Sequence, residues 1–311
     1  EEQVVRTISE KQRRLIDWNS EVLTPLLGEI VALREASGID ATPETKLKTI
    51  ESDKLRKGNS VIEEVQEIVT LPVFNAKIAM NKKDPALVDL GENVIAQLRE
   101  YVTVISAMYR SNPFHNFEHA SHVITSTVKL LSRISAPDLR PGDDKADADS
   151  DADVEKNLHD HTYGITSDPL TQFACVFSAL IHDVDHTGVP NSQLVKEKAK
   201  LSAHYQGKSV AEQNSVDLAW DLLMDDDYSN LRAAIFNTEA EKKRFRQLVV
   251  NSVMATDIMD KDLKILRNAR WEKAFSETAT EAREESRKDA VDRKATIVIE
   301  HLIQASDVAH T

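Results

Sequence analysis

The chain has 311 residues and a net charge of −13 at pH 7, with 39 Lys and Arg against 52 Asp and Glu. A chain of this length forms one or two domains with a sizeable core, and a hydrophobic content of 41% excludes wholesale disorder. The negative charge argues against a nucleic acid as the main partner, but it permits a small phosphorylated substrate if the binding site itself carries positive charge.

The first predicted element is an amphipathic helix, or a pair of helices, over residues 4–33. Its apolar residues recur at spacings of three, four and seven, and Pro25 marks a kink or break. We expect a lead-in helix that packs on the following domain. The alternative is a coiled-coil linker from an upstream module, and N-terminal helices of that kind would allow a homodimer. The polar residues 37–58 are typical of a linker, so residues 1–58 form a lead-in and linker.

Helix signals recur from Ser60 onward. Ser60 and Glu63 match a capping box for a helix over 61–70, which Pro72 ends. Only 8 Gly and 9 Pro interrupt long tracts of Ala, Leu, Lys and Glu, which favours further helices. These helices are predicted over 86–111, 115–135, 210–225, 239–256, 260–287 and 290–309, and one more begins at Pro169. Their N-terminal caps are predicted at Asp168, Ser209 and Thr238. Because no alternating strand pattern occurs, the fold class is all-α, a compact multi-helix bundle.

An acidic low-complexity tract, DDKADADSDAD at 143–153, interrupts the helices. It predicts a disordered surface insertion at about 140–165. Calcium binding is the alternative, but the tract lacks the Gly and the terminal Glu of an EF-hand loop. The histidines of 159-HDH-161 fall in this insertion without an apolar helix beneath them, so we expect them to be solvated.

Three histidines lie close together in 113-PFHNFEHASHV-123. His115 and His119 are four residues apart and would share one face of a helix, which His122 could join. A lone histidine on an apolar face is usually structural, but three within eight positions favour a site.

An apolar run ends abruptly in ionisable residues in 173-FACVFSALIHDVDHTGVPNSQL-194. Its four ionisable residues are His182, Asp183, Asp185 and His186. Gly188 and Pro190 end the helix there, so an adjacent His and Asp can both reach one centre. Buried carboxylates need compensation, either from mutual salt bridges and caps or from a metal, and imidazole with carboxylate suits divalent cations. Cys175, the single cysteine, is predicted to be a core residue and fits a reducing compartment.

Two further acidic residues complete the candidates. Asp307 lies at the polar end of an apolar helix in 301-HLIQASDVAHT-311, where it could be an ordinary terminal residue. Glu212 lies in 209-SVAEQN-214, where Ser209 and Glu212 form a capping box in their own right.

Together these stretches resemble a known family. The order His119, His182–Asp183, Asp307 is that of the HD superfamily of metal-dependent phosphohydrolases. PFHNFEHASHV and HDVDHTGVPN resemble the two histidine signatures of the class I 3′,5′-cyclic-nucleotide phosphodiesterase catalytic domain, and SVAEQN, ATD at 255–257 and ASDVAHT match its later landmarks. The likeness begins at about residue 60, so residues 59–311 are identified as a catalytic domain of this type that is incomplete at its C-terminal end.

The resemblance implies a two-metal site that hydrolyses cyclic AMP, cyclic GMP or both to the 5′-nucleotide. The implied ligands of the first metal, usually zinc, are His119, His182, Asp183 and Asp307. Asp183 would also bind a second metal, usually magnesium or manganese. Another HD-type phosphohydrolase and a degenerate regulatory domain are the alternative functions.

Other residues receive roles from the same resemblance. His115 matches the general acid, and Glu212 matches the carboxylate that holds it. His186 and Asn191 match positions around the bridging water. For Asp185 the resemblance implies no catalytic role, and we expect a hydrogen-bond partner of the site or a cap.

The sequence also departs from the family pattern. Phe114 stands where many members have Tyr, Asn214 and Ser215 stand where many have two histidines, and Thr311 replaces a Pro. The segment that grips the purine in this family lies beyond the last landmark, and we expect it outside these 311 residues.

The surroundings of the domain are also predicted. No apolar stretch reaches the roughly 18–20 residues that span a bilayer, so we expect no direct membrane contact from this segment. The sequence begins at Glu1 without Met, which suggests a piece of a longer polypeptide with an upstream regulatory or signalling domain. We expect a cytoplasmic protein, or the cytosolic part of a larger and even membrane-anchored one.

Overall fold

The computed structural model of the chain describes residues 8–38, 60–134, 151–275 and 286–309, and at residues 151 and 152 it describes the backbone alone. Within these ranges the fold is all-α, as predicted, and contains no strand. The α-helices are α1 (Glu10–Ser37), α2 (Ala76–Asn81), α3 (Glu92–Met108), α4 (Phe117–Leu131), α5 (Asp151–His161), α6 (Pro169–Ile181), α7 (Asn191–Lys196), α8 (Lys200–His204), α9 (Val210–Leu223), α10 (Ser229–Ile235), α11 (Glu239–Met254), α12 (Lys261–Phe275) and α13 (Arg287–Val308).

Helix α6 forms the centre of the bundle. Every residue from Pro169 to Ile181 except Gln172 is buried. Helices α1, α4, α11 and α13 all pack against it. Cys175 is buried within α6, and burial raises the pKa of its thiol to about 12, so the prediction of a core residue is confirmed. The C-terminal end of this rigid helix therefore has a fixed position in the core.

Helix α1 packs on the bundle as a single helix. Pro25 lies inside it, so the predicted break does not occur. Leu23 and Leu27 are fully buried and join the same core as the residues of α6. The lead-in helix is therefore part of the bundle. Most of the predicted linker, residues 39–58, lies outside the described residues.

The helix predicted over 61–70 was wrong. Only Val61–Glu64 is helical, as one 3₁₀ turn, and the Ser60 hydroxyl donates to Gln213 instead of capping it. The residues after the turn find backbone partners on other helices: the amides of Gln66, Val69 and Leu71 donate to Asn251, Thr296 and Asp292. Because distant side chains satisfy these amides, the segment needs no helical hydrogen bonds of its own.

The prediction of a disordered insertion was wrong for its second half. Residues 140–150 lie outside the described residues, whereas Asp151–His161 forms α5 and contacts α2. His161 is exposed as expected, but His159 is half-buried. His159 packs against Phe74, with ring centroids 5.3 Å apart, and its Nδ1 lies 2.5 Å from the Ser167 hydroxyl. Burial lowers the pKa of His159.

Candidate metal centre

Four side chains from three helices meet where α6 ends. His182 is the residue after the helix, and its imidazole and the Asp183 carboxylate are buried. His119 comes from the first turns of α4, where the Asn116 side chain accepts from its backbone amide and caps the helix. Asp307 comes from the last turn of α13. The four ligands predicted for the first metal therefore lie together.

The distances between their donor atoms suit a small cation. Nε2 of His119 lies 2.9 Å from Oδ1 of Asp307 and 3.9 Å from Oδ2 of Asp183. Nε2 of His182 lies 3.5 Å and 3.3 Å from the same two oxygens. Ligands about 2.1 Å from a tetrahedral ion are about 3.4 Å apart, so these separations match a site for such an ion.

The His182 ring presents an unused nitrogen to this centre. Its Nδ1 donates to the carbonyl oxygen of Ala179, 3.0 Å away, because a carbonyl can only accept. Its Nε2 is buried without a hydrogen-bond partner. In the neutral ring this arrangement places a lone pair on Nε2, the state in which histidine binds a metal. The unpartnered nitrogen is therefore available as a ligand for a cation.

The carboxylates set the electrostatics of the cluster. Burial alone lowers the pKa of His182, but Asp183 and Asp307 outweigh it and hold the pKa well above the usual value. Burial raises the pKa of Asp183, but His182 and His115 outweigh it and hold the pKa well below the usual range. The carboxylates therefore stay ionised and favour positive charge on or between the imidazoles, which a divalent cation supplies.

A second group shares Asp183 with the first. Nδ1 of His115 lies 2.9 Å from Oδ2 of Asp183, and His186 offers a third donor atom within 4.8 Å of both. The rings of His115 and His186 lie against each other, with centroids 3.7 Å apart and planes tilted by 35°. The donor atoms of this group are close enough together for a second cation to lie beside the first, with Asp183 shared between them.

The expectation that His115 and His119 share a helical face was wrong. Because Asn116 caps α4 and the helix starts at Phe117, His115 lies on the preceding loop. The rings of His115 and His119 still approach, with centroids 6.4 Å apart, across the centre. His122 is exposed on α4 and lies outside the cluster.

The loop that follows Asp183 holds His186 in place. The backbone amide of Gly188 donates to Nδ1 of His186, 3.0 Å away, and Gly188 has a φ of +83°. Burial lowers the pKa of His186, which favours the neutral ring with its proton on Nε2. Asp185 also has a positive φ, +61°, and pairs with Arg110 and Asn214. Asp185 therefore has hydrogen-bond partners on two other elements, and its part in the site stays a prediction.

Asn191 connects the two acidic residues beside the centre. Its Nδ2 donates to Oε2 of Glu212, 2.9 Å away, and to Oδ2 of Asp257, 3.1 Å away. Its Oδ1 accepts from the amide of Ala211 at the start of α9. Burial, and then the nearby Asp257 carboxylate, raise the pKa of Glu212 to about 7. The Asn191 side chain therefore joins the Glu212 carboxyl group on α9 to the Asp257 carboxyl group in the loop between α11 and α12.

Two expectations for Glu212 differ from these contacts. The capping box was wrong, because Ser209 has a φ of +36° and makes no side-chain cap; Asn191 caps α9 instead. The Glu212 carboxylate bonds to Asn191, whereas His115 bonds to Asp183. Sequence reasoning gave no role to Arg110 and used Asp257 only as a landmark; the ATD motif was the available signal for Asp257.

Comparison with known proteins decides the family. A family model described as 3′5′-cyclic nucleotide phosphodiesterase matches residues 114–311, which is more than half of the chain. The chain belongs to this family. All nine site residues predicted from the sequence fall in the matched region, and so do Asp257 and Asn214. Arg110 precedes it.

Several phosphodiesterases are similar to the chain. It is 28% identical over 194 residues to cGMP-inhibited 3′,5′-cyclic phosphodiesterase 3A of Homo sapiens, covering 57% of this chain and 17% of the relative. It is 30% identical over 166 residues to the probable 3′,5′-cyclic-AMP phosphodiesterase pde-4 of Caenorhabditis elegans, covering 53% and 20%. The chain thus spans a fifth or less of the length of these relatives.

A solved phosphodiesterase domain also resembles the chain. The crystal structure of the phosphodiesterase domain of the RhoPDE fusion protein from the choanoflagellate Salpingoeca rosetta has a TM-score of 0.48 and 18% identity, and the match covers 83% of this chain and 69% of that one. Among the described residues of this chain, no helix has the length and apolarity needed to cross a bilayer.

Proposed function

We propose that this chain hydrolyses a 3′,5′-cyclic nucleotide, cyclic AMP, cyclic GMP or both, to the 5′-nucleotide. The observation that carries the proposal is the convergence of His119, His182, Asp183 and Asp307 around an unpartnered imidazole nitrogen. Family membership supplies the substrate class, since a family model of cyclic nucleotide phosphodiesterases matches residues 114–311.

The four clustered side chains would hold the first divalent ion, which we propose to be zinc. Asp183 would be shared with a second ion, magnesium or manganese, beside His115 and His186. When bound, such a pair of ions lowers the pKa of a shared water and offsets the charge of the phosphodiester. An acidic protein with a net charge of −13 can then accept an anionic nucleotide.

His115 is proposed as the general acid. Its Nδ1 faces the ionised Asp183 carboxylate, 2.9 Å away, and therefore carries a hydrogen. Nε2 can then hold the proton that passes to O3′ as the water oxygen attacks phosphorus and the P–O3′ bond breaks. A positioned acid of this kind contributes about 10²–10⁴ in rate.

The surrounding residues would position these groups. His186 lies against the His115 ring and, in its neutral form, carries its hydrogen on Nε2, which would be available to a bound water. Asn191 would keep Glu212 and Asp257 together at the edge of the centre. Glu212 is proposed to hold His115. For this its carboxyl group would give up the hydrogen bond from Asn191 and accept one from His115 instead.

A product analysis tests the proposal. The protein, freed of metal and then supplied with Zn²⁺ and Mg²⁺, is incubated with cyclic AMP or cyclic GMP, and the products are separated from 3′-nucleotides. We expect the 5′-nucleotide, its loss with a chelator, and its loss in His119→Ala. Absence of turnover with both ions bound favours the degenerate regulatory domain, and turnover of nucleoside triphosphates or noncyclic esters instead favours another HD-type phosphohydrolase.

We also propose the setting of this activity. Residues 59–311 would act as the catalytic domain, with residues 1–58 as its lead-in, and an upstream regulatory or signalling domain would precede them. The protein would work in the cytoplasm or as the cytosolic part of a larger protein, and its N-terminal helices would allow a homodimer.

A further inference from the structure

We propose that Arg110 and Asn214 are positioning residues for the hydrolysis proposed above. They hold Asp185 in a left-handed backbone conformation, and that turn presents His186 to His115. The inference rests on the proposed function for its effect on turnover, whereas its structural part can be measured without a substrate.

Asp185 lies in the turn that follows α6. The backbone has a φ of +61° there, in the left-handed region, between Asp183 and His186. Residues with a Cβ enter this region at a cost, although Asp and Asn tolerate it better than most. A turn of this kind persists only where its surroundings hold it in place.

Both oxygens of Asp185 are held by side chains from different elements. Oδ1 accepts from Nε of Arg110, 2.6 Å away, just beyond the end of α3. Oδ2 accepts from Nδ2 of Asn214, 3.2 Å away, on α9. The side chain of the turn residue is therefore fixed from two sides, which sets the direction in which the next residue leaves the turn.

The neighbours of these two anchors fix the backbone before the turn. The Tyr109 hydroxyl donates to the carbonyl of Leu180, 2.8 Å away, and the Ser215 hydroxyl donates to the carbonyl of Val184 at the same distance. Two adjacent pairs of residues therefore hold this loop, 109–110 and 214–215. In each pair one residue bonds to the backbone before the turn and the other bonds to the side chain of Asp185. Together they hold the loop between the metal ligands and His186 as a rigid unit.

Beyond the turn, Asn112 joins the loop that carries His115 to the loop that carries His186. Nδ2 of Asn112 donates to the carbonyl oxygens of His115 and His186, at 2.8 Å and 3.2 Å. With the turn fixed, the His186 ring lies on the His115 ring, with centroids 3.7 Å apart and planes tilted by 35°. This ring contact limits the rotation of His115, which is proposed to deliver the proton.

The exposure of the ion pair favours positioning over stability. The Arg110 side chain is 50% exposed and that of Asp185 30% exposed. Ion pairs this accessible contribute little to folding because water screens them. Breaking this pair should therefore alter the reaction far more than the melting temperature.

A series of variants distinguishes the loss of the two hydrogen-bond partners of Asp185 from the loss of its left-handed backbone conformation. Asp185→Gly permits the left-handed turn but removes both anchors, and Asp185→Asn keeps the turn and one acceptor while removing the charge. The double variant Arg110→Ala/Asn214→Ala keeps Asp185 but removes its partners, and Arg110→Lys restores the positive charge. Asp17→Asn is the matched control, since it breaks a comparably exposed pair with Arg99 outside the site.

The readout that needs no activity is the nuclear magnetic resonance of the histidine ring protons. Stacking at 3.7 Å shields the facing protons of His115 and His186. We expect this upfield shift to disappear in Asp185→Gly and in the double variant, and to persist in Asp17→Asn. An upfield shift that is retained in both Asp185→Gly and the double variant would overturn the inference.

Kinetics and metal content complete the test. We expect kcat of the double variant to fall about tenfold, a part of the rate that a positioned acid supplies, with KM changed less than about twofold. Arg110→Lys should recover part of the loss seen in Arg110→Ala, and bound metal should stay at the wild-type level in all variants. Unchanged kcat, or loss of metal that accounts for the fall, would overturn it. A wild type that does not hydrolyse cyclic nucleotides would refute the proposed function alone, because the resonance shifts still decide the positioning.

Discussion

Nε2 of His182 lies 3.5 Å from Oδ1 of Asp307, although one residue follows the central helix and the other ends the last helix of the described chain. No hydrogen bond joins them, and the nitrogen is buried. A buried nitrogen that faces two carboxylates without a partner is costly unless something positive lies between them. This relationship is the physical basis for assigning a cation to the centre.

Removal of the proposed acid should slow the reaction without emptying the site. For His115→Ala we expect kcat to fall by about 10²–10⁴ with little change in KM. The defect should shrink for a cyclic nucleotide with sulfur in place of O3′, since a thiolate leaves without needing a proton. Equal defects on the oxygen and sulfur substrates would show that His115 does not deliver the proton.

Glu212 should make stability depend on pH. Its pKa is raised from 4.5 to about 7 in the folded protein, so the folded state binds more protons than the unfolded state between these values. The stability contributed by this group therefore falls as pH rises from 4.5 to about 7, and then stays low. Glu212→Gln, which keeps an acceptor for Asn191, should stabilise the metal-free protein by about 1–3 kcal/mol at pH 8 and by little at pH 4.

Urea unfolding at the two pH values, with a chelator present, measures this difference. Glu155→Gln on α5 serves as the control, because Glu155 is exposed. A Glu212→Gln variant whose gain in stability is the same at both pH values would contradict the assignment.

Cys175 should be inert in the folded protein. It is buried in α6, and burial raises the pKa of the thiol to about 12, so almost no thiolate exists at neutral pH. We expect no alkylation by iodoacetamide at pH 8 until the protein unfolds in urea, as measured by mass spectrometry. Rapid alkylation of native protein with loss of turnover would instead assign the cysteine to the site.

The sequence predicted the features that depend on local pattern. The apolar run of α6 with its polar end, and the spacing of the histidines on either side of Asn116, are visible without coordinates. Their resemblance to phosphodiesterase signatures identified the family that the comparison then confirmed. What brings Asp307 to the same point is the packing of α13 against α4 and α6, which no local pattern contains.

The predictions that failed involved local signals overridden by distant partners. Ser60 and Glu63 form a plausible capping box, but the Gln213 side chain accepts from the Ser60 hydroxyl and from the Ile62 amide, and the Asn251 side chain accepts from the Gln66 amide. Ser209 and Glu212 form another, but Asn191 caps that helix. In each case a side chain far away in sequence competes successfully for the same hydrogen bond, and only the folded chain brings it near.

The metal content of purified variants tests the central claim most directly. After metal loading and extensive dialysis, elemental analysis is performed on wild type, His119→Ala, His182→Ala and Asp307→Asn, with His161→Ala as an exposed-histidine control. We predict one tightly held transition metal per chain in wild type and in the control, and its loss in the other three variants. Wild-type protein that retains no metal, or ligand variants that retain the full amount, would contradict the account.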